Sequence, residues 1–152
     1  MVVRWMLALS MILLVGNQAK CQDTLGETKI KNLITDFFLA MKAKNIQVIQ
    51  DSFHPDAVMN TTLDGGDFAT LGHAKVADFL SRVGTSQATL DEQILSIEIR
   101  IDGHMANAWT PYKFYVDENF SHCGVNSFQL INTDVGWKIV HIIDTRHKEG
   151  CD

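Results

Sequence analysis

The chain has 152 residues with 13 basic and 18 acidic side chains, a net charge of −5. That length suits one domain with a real core, and no basic stripe appears, so nucleic acid is excluded as a partner. No C-x-x-C or H-E-x-x-H spacing occurs in the sequence, so no metal site is expected and no cofactor is called for.

The first 21 residues stand apart. Arg4 is the only charge before Lys20, and "WMLALSMILLV" between them is an apolar run of 11 residues. A membrane span needs about 20. The layout is that of a secretory signal peptide, with Ala19 and Cys21 as the small residues before a cleavage point. Cys21 raises the alternative of a lipid anchor, which Lys20 argues against. The expected division is 1–21 signal peptide and 22–152 one domain, with no stable membrane insertion once the signal is removed. Losing Arg4 and Lys20 leaves 11 basic against 18 acidic residues, a net charge of −7. Export makes a disulfide between Cys123 and Cys151 feasible. Nothing in the spacing demands one, and free thiols are expected.

In chain order, "TLGETKIKNLITDFFLAMKAKN" places Ile30, Leu33, Ile34, Phe37, Phe38 and Met41 on one helical face. A short helix follows, then a turn at His54-Pro55-Asp56 and a strand from Ala57. "GHAKVADFLSRVG" reads as a helix with Val76, Phe79, Leu80 and Val83 inward, which puts His73 at its start. "DEQILSIEIRIDG" alternates as a strand. "HMANAWTPYKFYV" is the next strand, and Pro111 within it calls for an edge or a bulge. "FSHCGVNSFQLIN" and "GWKIVHIIDTR" are two more. Helices first and strands after argue for an α+β fold. The expected form is a cone: a curved antiparallel or mixed sheet wrapped on the N-terminal helices, open at one end as a ligand pocket.

The opening helix with "ITDFFLAMKAKN", then "FHPDAVM", "LGHAKVADFL" and the terminal "GWKIVHIIDTR", in this order over residues 27–147, resemble the nuclear transport factor 2-like superfamily and its SnoaL-like members. The resemblance implies a cone-shaped fold of the cystatin-like kind, homodimers, and a pocket between the sheet and the long helix. It implies no single activity, because the superfamily holds cofactor-free isomerases, dehydratases and cyclases as well as binding modules.

His122 and Cys123 are neighbours on a strand, so they point to opposite faces and form no catalytic pair. A three-residue loop at Asp134-Val135-Gly136 pairs Thr133 with Trp137, and counting back sets Phe128 opposite Ile142, Asn126 opposite Asp144 and Gly124 opposite Arg146. That register gathers His122, Asn126, Asp144 and Arg146 at one end of a face that continues as Phe128, Leu130, Val140 and Ile142. Trp137, Ile139, His141 and Ile143 form the other stripe. Of Trp109 and Tyr112, one is expected in the core and one in the pocket. The first functional expectation is a binding or accessory protein for a small apolar or aromatic molecule with a polar group. The alternative is a cofactor-free enzyme in which Asp144 or His122 is the general base, and Tyr112 or Asn126 donates to the developing oxyanion. Arg146 beside Asp144 weakens that carboxylate as a base, which ranks the enzyme second.

Overall fold

A computed structural model describes residues 24–151. The segment read as a signal peptide lies outside the described residues. Helix α1 spans 24–43, and its face of Ile30, Ile34, Phe37, Phe38 and Met41 is buried against the sheet. Burying a side chain of this size contributes about 1.5–3 kcal/mol, so this one stripe anchors the helix. Asn45 then caps the short α2 (Ile46–Ser52) by accepting from the Val48 N–H. Helix α3 (Val76–Thr85) presents Val83 and Phe79 to the same core. No helix among the described residues is long and apolar enough to cross a membrane.

The sheet is curved and mixed, with α1 packed on its inner face. Its strands are β1 (Phe53–Leu63), β2 (Thr70–Ala74), β3 (Leu90–Ile94), β4 (Glu98–Asp102), β5 (Met105–Val116), β6 (Asn119–Thr133) and β7 (Gly136–Asp144). The order is β2-β1-β7-β6-β5-β3, with β4 also on β5, and β1 runs parallel to β7. The α+β cone expected from the sequence is therefore present. Ala106 and Ala108 on the inner face of β5 are buried, and their small side chains let the α1 aromatics approach the sheet.

Several local expectations are corrected. His54-Pro55-Asp56 is not a turn: it lies in β1, inside the irregular stretch between Phe53 and Val58 where the pairing register shifts. A register shift tolerates the missing proline N–H. Gly72 and His73 belong to β2, paired with Thr61 and Asn60, rather than to the start of α3. The long strand expected over 91–102 is two strands separated at 95–97. Pro111 sits where β5 changes partner, since β4 pairs up to Trp109 and β3 begins at Tyr112.

The β6–β7 hairpin decides which side chains face inward. Its turn is Asp134-Val135, Thr133 pairs with Gly136 instead of Trp137, and Gly136 has φ +105°. A bulge then inserts Val140: Leu130 pairs with Ile139, while Gln129 pairs with His141. The two irregularities cancel, so Asn126 opposite Asp144 and Phe128 opposite Ile142 hold as counted. Between them the faces swap. Trp137 and Ile139 are buried in the core, and Val140 is not.

Beyond Asp144 the tail continues along β6. Cys123 and His147 exchange backbone hydrogen bonds, and Tyr112 Oη donates to the Thr145 carbonyl at 2.9 Å. Cys123 and Cys151 form a disulfide, against the expectation of free thiols. The bridge became feasible because the tail pairs alongside Cys123 and brings Cys151 to it. Chain-entropy arguments value closing such a loop, with a sequence separation of 28, at about 3–4 kcal/mol. Gly124 lies under the Thr145 carbonyl, and any Cβ there would collide with that backbone oxygen. Gly124→Ala is expected to lower stability by about 2–3 kcal/mol, read by urea unfolding. An unchanged midpoint would show that the tail does not press on β6.

Candidate functional site

A cavity of about 340 Å³ lies between α1, α3 and the inner face of the sheet. Phe37, Phe38 and Met41 from α1, Phe79 from α3, and Phe128 and Ile142 from the sheet give it an apolar floor. The aromatic floor is tightly arranged: Phe37 stacks on Phe79 at 6.0 Å between ring centroids, and Phe37 and Phe38 both meet Phe128 edge-on. Space survives beside Thr61 because Gly72 faces it, and a Cβ on Gly72 would stand 2.8 Å from the Thr61 methyl group.

The other end of the cavity is polar. Asp144 Oδ2 accepts from Arg146 Nε at 2.8 Å, with the Asp144 side chain 13% and the Arg146 side chain 58% exposed. Deeper in, Asn126 Nδ2 donates to Glu92 Oε1 at 2.7 Å. The same amide lies 3.4 Å from the Thr110 hydroxyl, which in turn faces the Asn126 carbonyl. Burial pushes the Glu92 carboxyl up to about 7; the Asn126 hydrogen bond opposes that rise, and the Asp144 charge adds to it. Thr61 Oγ1, also on the cavity wall, is buried without a hydrogen-bond partner. For Arg146, burial works against the charge, but the Asp144 hydrogen bond and charge outweigh it and hold the guanidinium as a cation.

Of the residues singled out in the sequence, Asn126, Asp144, Arg146 and Phe128 come together on the cavity wall. His122, Tyr112 and Trp109 do not line it. Tyr112 is buried over Gly124, between Asn126 and His122 in strand order, and its hydroxyl is committed to Thr145. Burial, with the Glu92 and Asp144 charges, raises its phenol so that it stays protonated. His122 lies beyond it, with its ring 4.9 Å from that of Phe114, and burial lowers its pKa. Trp109 points to the outer face and is 47% exposed, because odd-numbered positions of β5 face away from the core. His122 and Tyr112, weighed as base and as oxyanion donor, thus stand behind the residues that line the cavity, with the Tyr112 phenol beside Asp144.

Glu92 was not singled out from the sequence. A signal was present: in "LDEQI" a glutamate stands between Leu90 and Ile94 in the inward register of β3. Reading 91–102 as one continuous strand hid it, since the inward parity changes at the 95–97 break. Among the described residues, no group of three or more His, Cys, Asp or Glu is arranged to hold a metal ion.

The raised Glu92 carboxyl links stability to pH. Its folded-state value is about 7 against an ordinary 4.5, so the folded protein binds the proton more tightly. The penalty is absent below the ordinary value, grows as pH rises through this window, and is complete above the folded value. Glu92→Gln is expected to match the parent near pH 4.5 and to exceed it by about 2–3 kcal/mol near pH 8 in urea unfolding. Equal stabilities at both pH values would contradict this placement of the carboxyl.

A family model described as SnoaL-like domain matches residues 22–143. No curated protein matches the sequence significantly. Among solved structures, the chain is similar to a nuclear transport factor 2-like protein with a cystatin-like fold from Novosphingobium aromaticivorans, with a TM-score of 0.67, 12% identity, and coverage of 87% of this chain and 88% of that one. A provisionally named scytalone dehydratase from the same organism gives a TM-score of 0.68 at 12% identity, covering 84% and 88%. A protein of unknown function from Mycobacterium tuberculosis gives 0.67 at 13%, covering 86% and 77%. At these identities the structural likeness speaks for the fold alone, and it agrees with the family match over most of the sequence: the chain belongs to the SnoaL-like domain family, within the nuclear transport factor 2-like superfamily.

Proposed function

We propose that the chain is an exported protein that binds a small apolar or aromatic molecule carrying a polar group, and that it works as a homodimer. The observation that carries this reading is the cavity itself, an aromatic floor ending in Glu92, Asn126, Asp144 and Arg146. A mostly apolar wall with a few convergent polar groups is the usual composition of a small-molecule site. The basic and apolar start of the sequence and the Cys123–Cys151 disulfide support export. Exposed Val58, Leu71, Met105 and Trp109 on the outer face of the sheet support a partner copy there.

One observation favours a second reading, a cofactor-free proton-transfer enzyme. Glu92, raised to about 7 on the cavity wall, has the character of a general base at neutral pH. It would take the proton from a carbon next to a carbonyl, leave an enolate, and return the proton to another carbon. This reading ranks second because the neighbouring donors are occupied: Asn126 bonds Glu92 and Tyr112 bonds Thr145. Neither is free to hold the enolate oxygen.

A single NMR titration with 2-tetralone in heavy water tests these readings. The expected result is saturable binding at about one molecule per chain, loss of that binding in Gly72→Val, and a diffusion coefficient of a dimer. Absence of saturable binding would overturn the binding reading, and diffusion as a single chain would overturn the dimer. Deuterium uptake beside the carbonyl, faster than in buffer and lost in Glu92→Gln, would move the conclusion to the enzyme.

A further inference from the structure

The charges at the polar end of the cavity do not balance. Arg146 is committed to Asp144 in a 2.8 Å ion pair. The charges that act on Glu92 are those same two groups, which oppose each other, so neither supplies Glu92 with a counter-ion of its own. Arg82 also borders the cavity, but it is exposed on α3 and is not among the charges felt by Glu92. One Glu92 oxygen accepts from Asn126, and among the described residues no other hydrogen-bond donor reaches that carboxyl. When ionised, Glu92 is thus a half-buried anion without a counter-ion of its own, a costly arrangement that a cation inside the cavity would relieve.

The surroundings suit an organic cation better than a metal ion. Phe37, Phe38, Phe79 and Phe128 line the same space, and their rings offer quadrupoles in place of the oxygen ligands that a hard metal ion requires. A second point is unfilled: the buried Thr61 hydroxyl on the cavity wall lacks a partner, and Thr61 pairs with Asp144 in the strand register. A hydroxyl in that position can accept from an N–H or donate to an oxygen of the bound molecule. An anionic head group, by contrast, would meet Glu92 and Asp144 together.

We propose that the cavity is a site for a small aromatic or aliphatic ammonium compound, with the charged nitrogen facing Glu92 and the carbon skeleton on the phenylalanine floor. This rests on the small-molecule reading above and narrows it to one class of ligand. Glu92 supplies the counter-charge, Asn126 holds the carboxylate in orientation, and the Asp144–Arg146 pair walls the site without competing for the cation.

Three probes that share a phenyl ring and differ in head charge test the proposal: phenethylamine, 2-phenylethanol and 3-phenylpropionate. Calorimetry near pH 8.5 keeps the amine protonated and Glu92 ionised. The expected order is phenethylammonium about tenfold tighter than the alcohol, with the carboxylate weakest. In Glu92→Gln the preference of amine over alcohol is expected to fall to about one, which separates a local effect from the attraction of any cation to an acidic protein. Alcohol or carboxylate binding as tightly as the amine would overturn the proposal, as would an amine preference that survives Glu92→Gln. The ranking on the unaltered protein decides the matter even if the variant does not fold. Binding of the alcohol without the amine would remove the ammonium assignment and leave the cavity reading standing; binding of none would remove both.

Discussion

The Glu92 carboxyl and the Asn126 amide meet at 2.7 Å across the inner face of β5, and the chemistry of the cavity depends on that contact. A carboxyl in a half-apolar wall needs a donor, and one amide satisfies one oxygen. The remaining oxygen and the cost of burial leave a group that titrates near neutrality and faces a space bordered by phenylalanine rings. Thr110, paired with Asn126 on β5, is small enough for Glu92 and Asn126 to reach each other, and its hydroxyl lies 3.4 Å from the same amide.

The tail fixes the rest of the site. Arg146 follows the last residue of β7 by two positions and would swing free if the chain ended there. Backbone bonds between Cys123 and His147, the Tyr112–Thr145 hydrogen bond, the close passage over Gly124, and the Cys123–Cys151 disulfide hold it down. With the tail anchored, Arg146 reaches back to Asp144 and neutralises it. Glu92 is then the carboxyl of the cavity that lacks a cation. Structural stapling on one side of β6 and charge imbalance on the other are thus connected through a few residues.

Much of this was legible in the sequence, and the errors have common physical causes. Helical spacing identified the buried face of α1 because a single amphipathic stripe leaves little ambiguity. The pairing of Asn126 with Asp144 and of Phe128 with Ile142 came out correctly although two irregularities lay in between, since the tighter turn and the Val140 bulge offset each other. The bulge still exchanged Val140 for Ile139 and Trp137 in the core, which alternation alone cannot announce. Residue type places Trp109 near the ligand, whereas the parity of β5 turns it outward. His122 shares its strand face with Asn126 as counted, but Tyr112, paired with Gly124, stands between the two. Glu92 is masked for a similar reason: the step from Ile94 to Ile97 changes parity, dividing the segment into two strands and turning the glutamate inward. The disulfide needed the tail's path along β6, which no local pattern encodes.

The most direct test of the account is the titration of Glu92 itself, followed by the carbon-13 shift of its side-chain carboxyl in the folded protein. A midpoint near 7 would show a buried carboxyl with one donor and no counter-ion, as described here. A midpoint near the ordinary 4.5 would mean that water or a cation already compensates the group, and the proposed site would lose its physical basis.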